Sequence, residues 1–304
     1  MRITVNGAPI ALEAKESGSL GELLAEADEF LDKAGSVIVS LSVDGEEVDA
    51  EGYARCAERT ASSVESVDIR AEDASAIRTR ALETLLELLA IAKRASEDES
   101  AAPAASASAT DWPALRAGAQ DMRDAFAGLF AADELSFVQL FAEILERAGD
   151  SPDKAGRIEI SAQSDRLASV FGERLSELRA PVGEMRKAAA LFDDSAPELA
   201  EIPILLQTGK EDRAMKTVLF FIEIFNKVIR IIPELRRSGV DTAAIAVEGA
   251  SLPEFYGSLN GVLRQLTEAF EHKDAVLIGD LAEYEILPRM KGFFAAMRET
   301  LPES

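Results

Sequence analysis

The sequence is poor in the residues that do chemistry. It has one cysteine, one histidine and one tryptophan in 304 residues, and aromatics make up only 6% of it. A single thiol, Cys56, cannot build a disulfide framework, which fits a reducing compartment. With His272 as the one imidazole, Cys/His zinc sets cannot be assembled, and the paired Glu-x-x-His motifs of di-iron bundles are missing. No Gly-x-Ser-x-Gly elbow supports a Ser-His-Asp triad. Neither Gly-x-x-x-x-Gly-Lys-Ser/Thr nor Gly-x-Gly-x-x-Gly occurs, so phosphate-cradling loops are excluded. Gly209-Lys210 instead reads as a helix C-cap followed by the next N-terminus. Arg55 and Arg59 flank Cys56 and would favour a thiolate, but the short apolar turn Tyr53–Ala57 predicts a packed thiol. His272, in the polar turn Glu271–Asp274, reads as a surface or capping residue. No catalytic residue, cofactor or metal is therefore expected.

Long apolar runs are also absent. The most apolar stretch, Val218–Ile232, is interrupted by Glu223, Asn226, Lys227 and Arg230, and it is shorter than the roughly 20 residues of a membrane span. It reads as a core helix that Pro233 ends or kinks. Met1–Gly7 has no apolar signal region, so a cytoplasmic location is expected. Positive charge is scarce: 32 Lys/Arg face 55 Asp/Glu, for a formal charge of −23. A field of that sign repels phosphate backbones and anionic lipid surfaces, so neither nucleic acid nor membrane is an expected partner. The same field aids solubility and attracts a basic partner.

What the chain does have falls into two parts. In residues 1–72, Ile3 and Val5 alternate, Asn6-Gly7 signals a tight turn, and Ile10 and Leu12 continue beyond it. Ser19 and Glu22 form a capping box for a helix whose stripe is Leu20, Leu23, Leu24, Ala27 and Leu31, ended by Gly35. Strands follow at Val37–Val43, after the Asp44-Gly45 turn towards Val48, and at Val64–Ile69, with a helical turn at Tyr53–Glu58 before the last. This order resembles the β-grasp layout of ubiquitin-like domains and small sulfur carriers. The resemblance implies a small sheet with an available binding face. It does not extend to carrier chemistry: the last strand ends Arg70-Ala71-Glu72-Asp73, with no terminal Gly-Gly.

From residue 73 to 304 the period is helical. A helix is predicted over Ala74–Ala95, carrying Leu82, Leu85, Leu86, Leu88, Leu89 and Ile91. A low-complexity Ala/Ser/Pro linker follows at about 97–110. Thr110 or Asp111 caps the next helix, which has Pro113 in its first turn and runs to about Phe130. Asp153, Asp212 and Asp274 each follow an apolar helix and a polar turn, about 60 residues apart. That spacing reads either as a duplication or as ordinary Asp capping in successive hairpins. The expected class is thus α+β: a β-grasp-like domain, then an all-α region of antiparallel helical hairpins.

Two segments exceed what composition demands. Val218–Ile232 contains Phe221 and Phe225 on a helix that is apolar nearly all round. Ala275–Pro288 sets Asp280, Glu283, Tyr284 and Glu285 inside an apolar helix that Pro288 should kink. These six residues are the candidate partner-binding set, for a protein partner that is basic or helical. The expected function is a non-enzymatic interaction module: an adaptor, scaffold or assembly chaperone. Two alternatives stay open. One is an enzyme or metal site built on Asp280, Glu283 and Glu285. The other is self-assembly as a homo-oligomer through the apolar helix.

Overall fold

The computed structural model describes residues 1–10, 18–97 and 111–302. The expected continuation of the first hairpin to Leu12, the Thr110 cap and the linker from 98 to 110 lie outside them. The class is α+β. The chain divides into two compact units, Met1–Gly172 and Glu173–Ser304, each taken by itself below.

The first unit opens with a mixed five-stranded sheet in the order β2-β1-β5-β3-β4, a β-grasp-like arrangement. Its elements are β1 (Arg2–Val5), β2 (Ala8–Pro9), α1 (Leu20–Lys33), β3 (Ser36–Val43), β4 (Glu46–Glu47), α2 (Ala50–Ala57) and β5 (Ser66–Asp73). β1 runs parallel to β5 and the other pairings are antiparallel. Both tight turns need left-handed backbone. Asn6 and Gly7 have φ of 51° and 80°, and Asp44 and Gly45 have 54° and 84°. Asn and Asp adopt that region at little cost, and Gly at none. The Ser19–Glu22 capping box is reciprocal. All five residues of the predicted α1 stripe are buried with Ile3, Leu41, Val43, Val67 and Ile69. The opposite sheet face carries Thr4, Ser40, Ser42, Asp68 and Arg70, with the Thr4 hydroxyl donating to Asp68 at 2.5 Å. That available face is therefore polar.

Two side chains fasten the sheet where turns meet strands. The Asp44 carboxylate accepts the amides of Ser66 (3.0 Å) and Glu65 (2.7 Å) and pairs with Arg59 (2.9 Å). The Ser66 amide, then Arg59, then the Glu65 amide hold its pKa below the usual carboxylate range. Asn6 grips both sides of Ala71: its amide donates to the carbonyl (2.9 Å) and its oxygen accepts the N–H (3.0 Å). Asn6→Ala removes both bonds and forces a β-carbon residue to stay at positive φ. We expect a loss of about 1–3 kcal/mol by urea unfolding, with faster amide exchange in β1 and β5. Asn6→Gly keeps the backbone comfortable and should cost less.

β5 runs through to Asp73, because Ala71 continues the inward alternation of Val67 and Ile69. It passes directly into α3 (Ala74–Glu97), where Asp73 accepts the Ala76 amide at 2.7 Å. α4 (Trp112–Phe126), α5 (Ala132–Ala148) and α6 (Lys154–Arg179) complete the helices of this unit; the division between units falls within α6. Asp111 caps α4, which stops at Phe126 rather than near Phe130. Leu82, Leu85 and Leu89 are buried in α3, whereas Ile91 is exposed.

The second unit contains α7 (Pro181–Ala200), α8 (Ile202–Gln207), α9 (Glu211–Arg237), α10 (Leu252–Glu271), α11 (Ala275–Asp280) and α12 (Leu287–Thr300). The expected all-α region is not purely helical. A small hairpin, β6 (Ala246–Val247) with β7 (Ala250–Ser251), turns through Glu248 and Gly249 at positive φ. Gly209 ends α8 as expected: its N–H reaches the Leu206 carbonyl, and Lys210 reaches Leu205. Asp153 and Asp274 cap their helices, but Asp212 does not. It sits inside the first turn of α9, behind Lys210. Pro233 does not end α9, which continues to Arg237.

Candidate functional site

α9 organises the second unit. Ala214, Val218, Phe221, Ile224, Phe225, Val228, Ile231 and Leu235 are buried along one side. Those side chains pack against α7, α10 and α12 in one apolar core. Phe221 and Phe225 are each only 4% exposed, so the placement of these two expected partner-binding residues on a docking surface is corrected here. They line a small apolar crevice of about 20 Å³, with Leu199, Leu259, Leu266 and Ile286 among its other walls. Ile222 and Leu263 are the partly exposed members of that lining and mark the mouth.

The solvent side of α9 is not uniformly polar. Met215, Leu219 and Ile229 are exposed, Leu219 at 51%, and Asn226 lies among them. Together with Ile222 they recur at steps of four, three, four and three residues, the spacing of a narrow apolar stripe along one helix edge. Lys216, Glu223 and Arg230 run beside it at steps of seven. Exposed apolar surface of the helix therefore includes this stripe, which adjoins the core through Ile222, and Phe220 outside it, 38% exposed.

Further round the helix, beginning at Arg230 beside the stripe, lies a charge network whose Lys227 and Arg230 show in the sequence only as interruptions. The Lys227 ammonium is buried and donates to Glu184 (2.7 Å) and Glu173 (2.6 Å), and Lys187 donates to the other Glu184 oxygen at 2.7 Å. One helical turn on, Arg230 makes two 3.0 Å bonds to buried Glu177, which also accepts from Arg174 at 3.1 Å. Burial works against the charged lysine, but Glu173 and Glu184 outweigh it and raise the Lys227 pKa. Burial likewise opposes the Glu184 carboxylate, but Lys187 and Lys227 outweigh it and lower that pKa. An ammonium held protonated is neither base nor nucleophile, so the network is an electrostatic clasp between helices.

The expected acidic segment is placed differently. Asp280 ends α11 and is exposed, and residues Leu281–Ile286 form a π-helical turn. Pro288, at the second position of α12, explains the turn: its ring would crowd the Tyr284 carbonyl in ordinary α-winding, and wider winding relieves this without breaking the helix. The change of winding removes the α-helical stacking expected of Asp280 and Glu283. Glu285 pairs with Arg289 at 2.7 Å, and Arg289 also donates to Ser258. Tyr284 is 65% exposed. Among the described residues, no three His, Cys, Asp or Glu side chains gather as metal ligands would, so the Asp280/Glu283/Glu285 reading lacks its required convergence. His272 is exposed at the end of α10, its Nδ1 2.7 Å from the Glu268 carbonyl. No described helix is long and apolar enough to cross a membrane.

Comparison with known families matches two stretches of the chain. Residues 1–72 match the family described as the TP0873 N-terminal domain. Residues 184–295 match a family described as a domain of unknown function, DUF8042. The second match begins at the clasp residue Glu184 and takes in α9, the crevice and the π-turn. No curated protein and no solved structure matches the chain.

Proposed function

We propose that this protein is a non-enzymatic interaction module, an adaptor, scaffold or assembly chaperone working in the cytoplasm. Its docking surface is the outer stripe of α9 beside the crevice mouth. The observation that carries this reading is the stripe itself: aliphatic side chains exposed on a helix whose other side is locked into a core. A pre-ordered helix loses little freedom on binding, so modest apolar contact can yield measurable affinity. The scarcity of catalytic residue types and the single cysteine fit the same role. Tyr284, exposed on the π-turn, is a further residue open to a partner.

The test pairs Leu219→Asp with Ile229→Asp in the full chain. Leu219 is half exposed and Ile229 less so, so thermal unfolding should move modestly. At about 0.1 μM protein, well below the concentration of a micromolar self-association, we expect the native protein to bind the apolar dye bis-ANS and the double variant to lose most of that binding. Equal dye binding by both proteins would sink the assignment of the stripe.

A further inference from the structure

The stripe contains one residue that an apolar docking face should avoid. Asn226 stands in its middle, between Ile222 and Ile229, and it is exposed. Any partner that covers the aliphatic residues also covers this amide, and a buried amide without hydrogen bonds is costly. An amide offers both a donor and an acceptor, so a second asparagine opposite it satisfies it. An identical stripe supplies one.

We propose that two copies of this chain pair through α9, parallel and in register, with Asn226 meeting its counterpart. This deepens the reading of the stripe as a docking face and rests on it. The spacing of Met215, Leu219, Ile222, Asn226 and Ile229 is that of the seam positions of a two-stranded coiled coil, in which a lone seam asparagine fixes register and strand number. The charges beside the seam choose the direction. An antiparallel pair that overlaps the stripe sets Glu223 against its own copy and turns Asn226 towards an aliphatic side chain. A parallel pair holds the two Glu223 side chains apart on opposite outer edges, while Arg230 stays paired with Glu177 of its own copy. Two heptads are too short to pair as free peptides. Here the helix is already formed by its core, so that ordering cost is absent. A single self-complementary face closes at two copies.

The experiment uses the full chain at about 100 μM, a concentration suited to a micromolar association. Sedimentation should show a dimer, and Leu219→Asp should sediment as a monomer with thermal unfolding moved only modestly. In a Cys56→Ser background, Asn226→Cys or Leu219→Cys should form a disulfide-linked dimer under mild oxidation, and Glu223→Cys should not. A monomeric native chain, or faster cross-linking at residue 223 than at 226, overturns the proposal. Bis-ANS separates the two readings. If the native chain is monomeric and Leu219→Asp abolishes dye binding, the docking face stands and self-pairing falls. If the monomer binds no dye at the stripe, both fall.

Discussion

Lys227→Met should destabilise the second unit by about 3–5 kcal/mol, among the largest effects of any single change in this chain. The reason is what the substitution leaves behind. Glu184 is 4% exposed and takes one of its two lysine bonds from Lys227. With Lys227 gone, a buried carboxylate keeps only the Lys187 contact, from a side chain that is largely in water. Methionine fills the lysine stem's volume, so the loss reports charge and not packing. Differential scanning calorimetry should show the affected transition lowered by roughly 10 °C. Hydrogen exchange should localise the loss to α7 and α9. Adding Glu184→Leu removes the orphaned carboxylate, and the double variant should recover most of the stability. If the double variant is as unstable as the single one, the clasp reading is wrong and Lys227 acts through its stem.

The same clasp gives a pH window with a definite sign. The folded pKa of Glu184 is lowered, so its contribution is present above the unfolded value of about 4.3 and is lost as pH falls through the folded value. The folded pKa of Lys227 is raised, so its contribution is present below the unfolded value of about 10.4 and is lost as pH rises through the folded value. Between those limits the clasp is intact. Lys227→Met should therefore flatten the acid limb of the stability profile for the second unit.

How far the sequence could be read depended on whether the signal was local. Ser19 with Glu22, Asn6 with Gly7, and Asp44 with Gly45 each dictate a hydrogen-bond pattern within a few residues, and each forms in the structure. The α1 stripe has only one apolar face, so its buried side was unambiguous. α9 was not, because apolar residues occupy most of its circumference. Periodicity cannot say which of Phe221 and Leu219 meets the core, since that depends on where α7 and α10 lie. The clasp was hidden for a related reason. Lys227 and Arg230 read as solvent-facing breaks until Glu173, Glu177 and Glu184, some 43 to 54 residues away, are seen beside them. The π-turn was equally hidden. Pro288 announced a perturbation, but whether the helix breaks, kinks or rewinds is decided by the packing of Leu281, Ala282 and Ile286.

Phe192→Ala should cost about 3–5 kcal/mol. Its ring is fully buried on α7, 5.6 Å from Phe221 in an edge-to-face contact and 4.9 Å from Phe294 of α12. One side chain thus joins α7, α9 and α12. Truncation leaves a cavity against two rigid rings and also forfeits the aromatic contacts. Phe192→Leu keeps most of the volume and should cost about 1–1.5 kcal/mol, chiefly the lost ring geometry. Urea unfolding read by hydrogen exchange across α7, α9 and α12 separates the two substitutions. If alanine costs no more than leucine, the three helices are held by the clasp and the rest of the core, and the aromatic junction is dispensable.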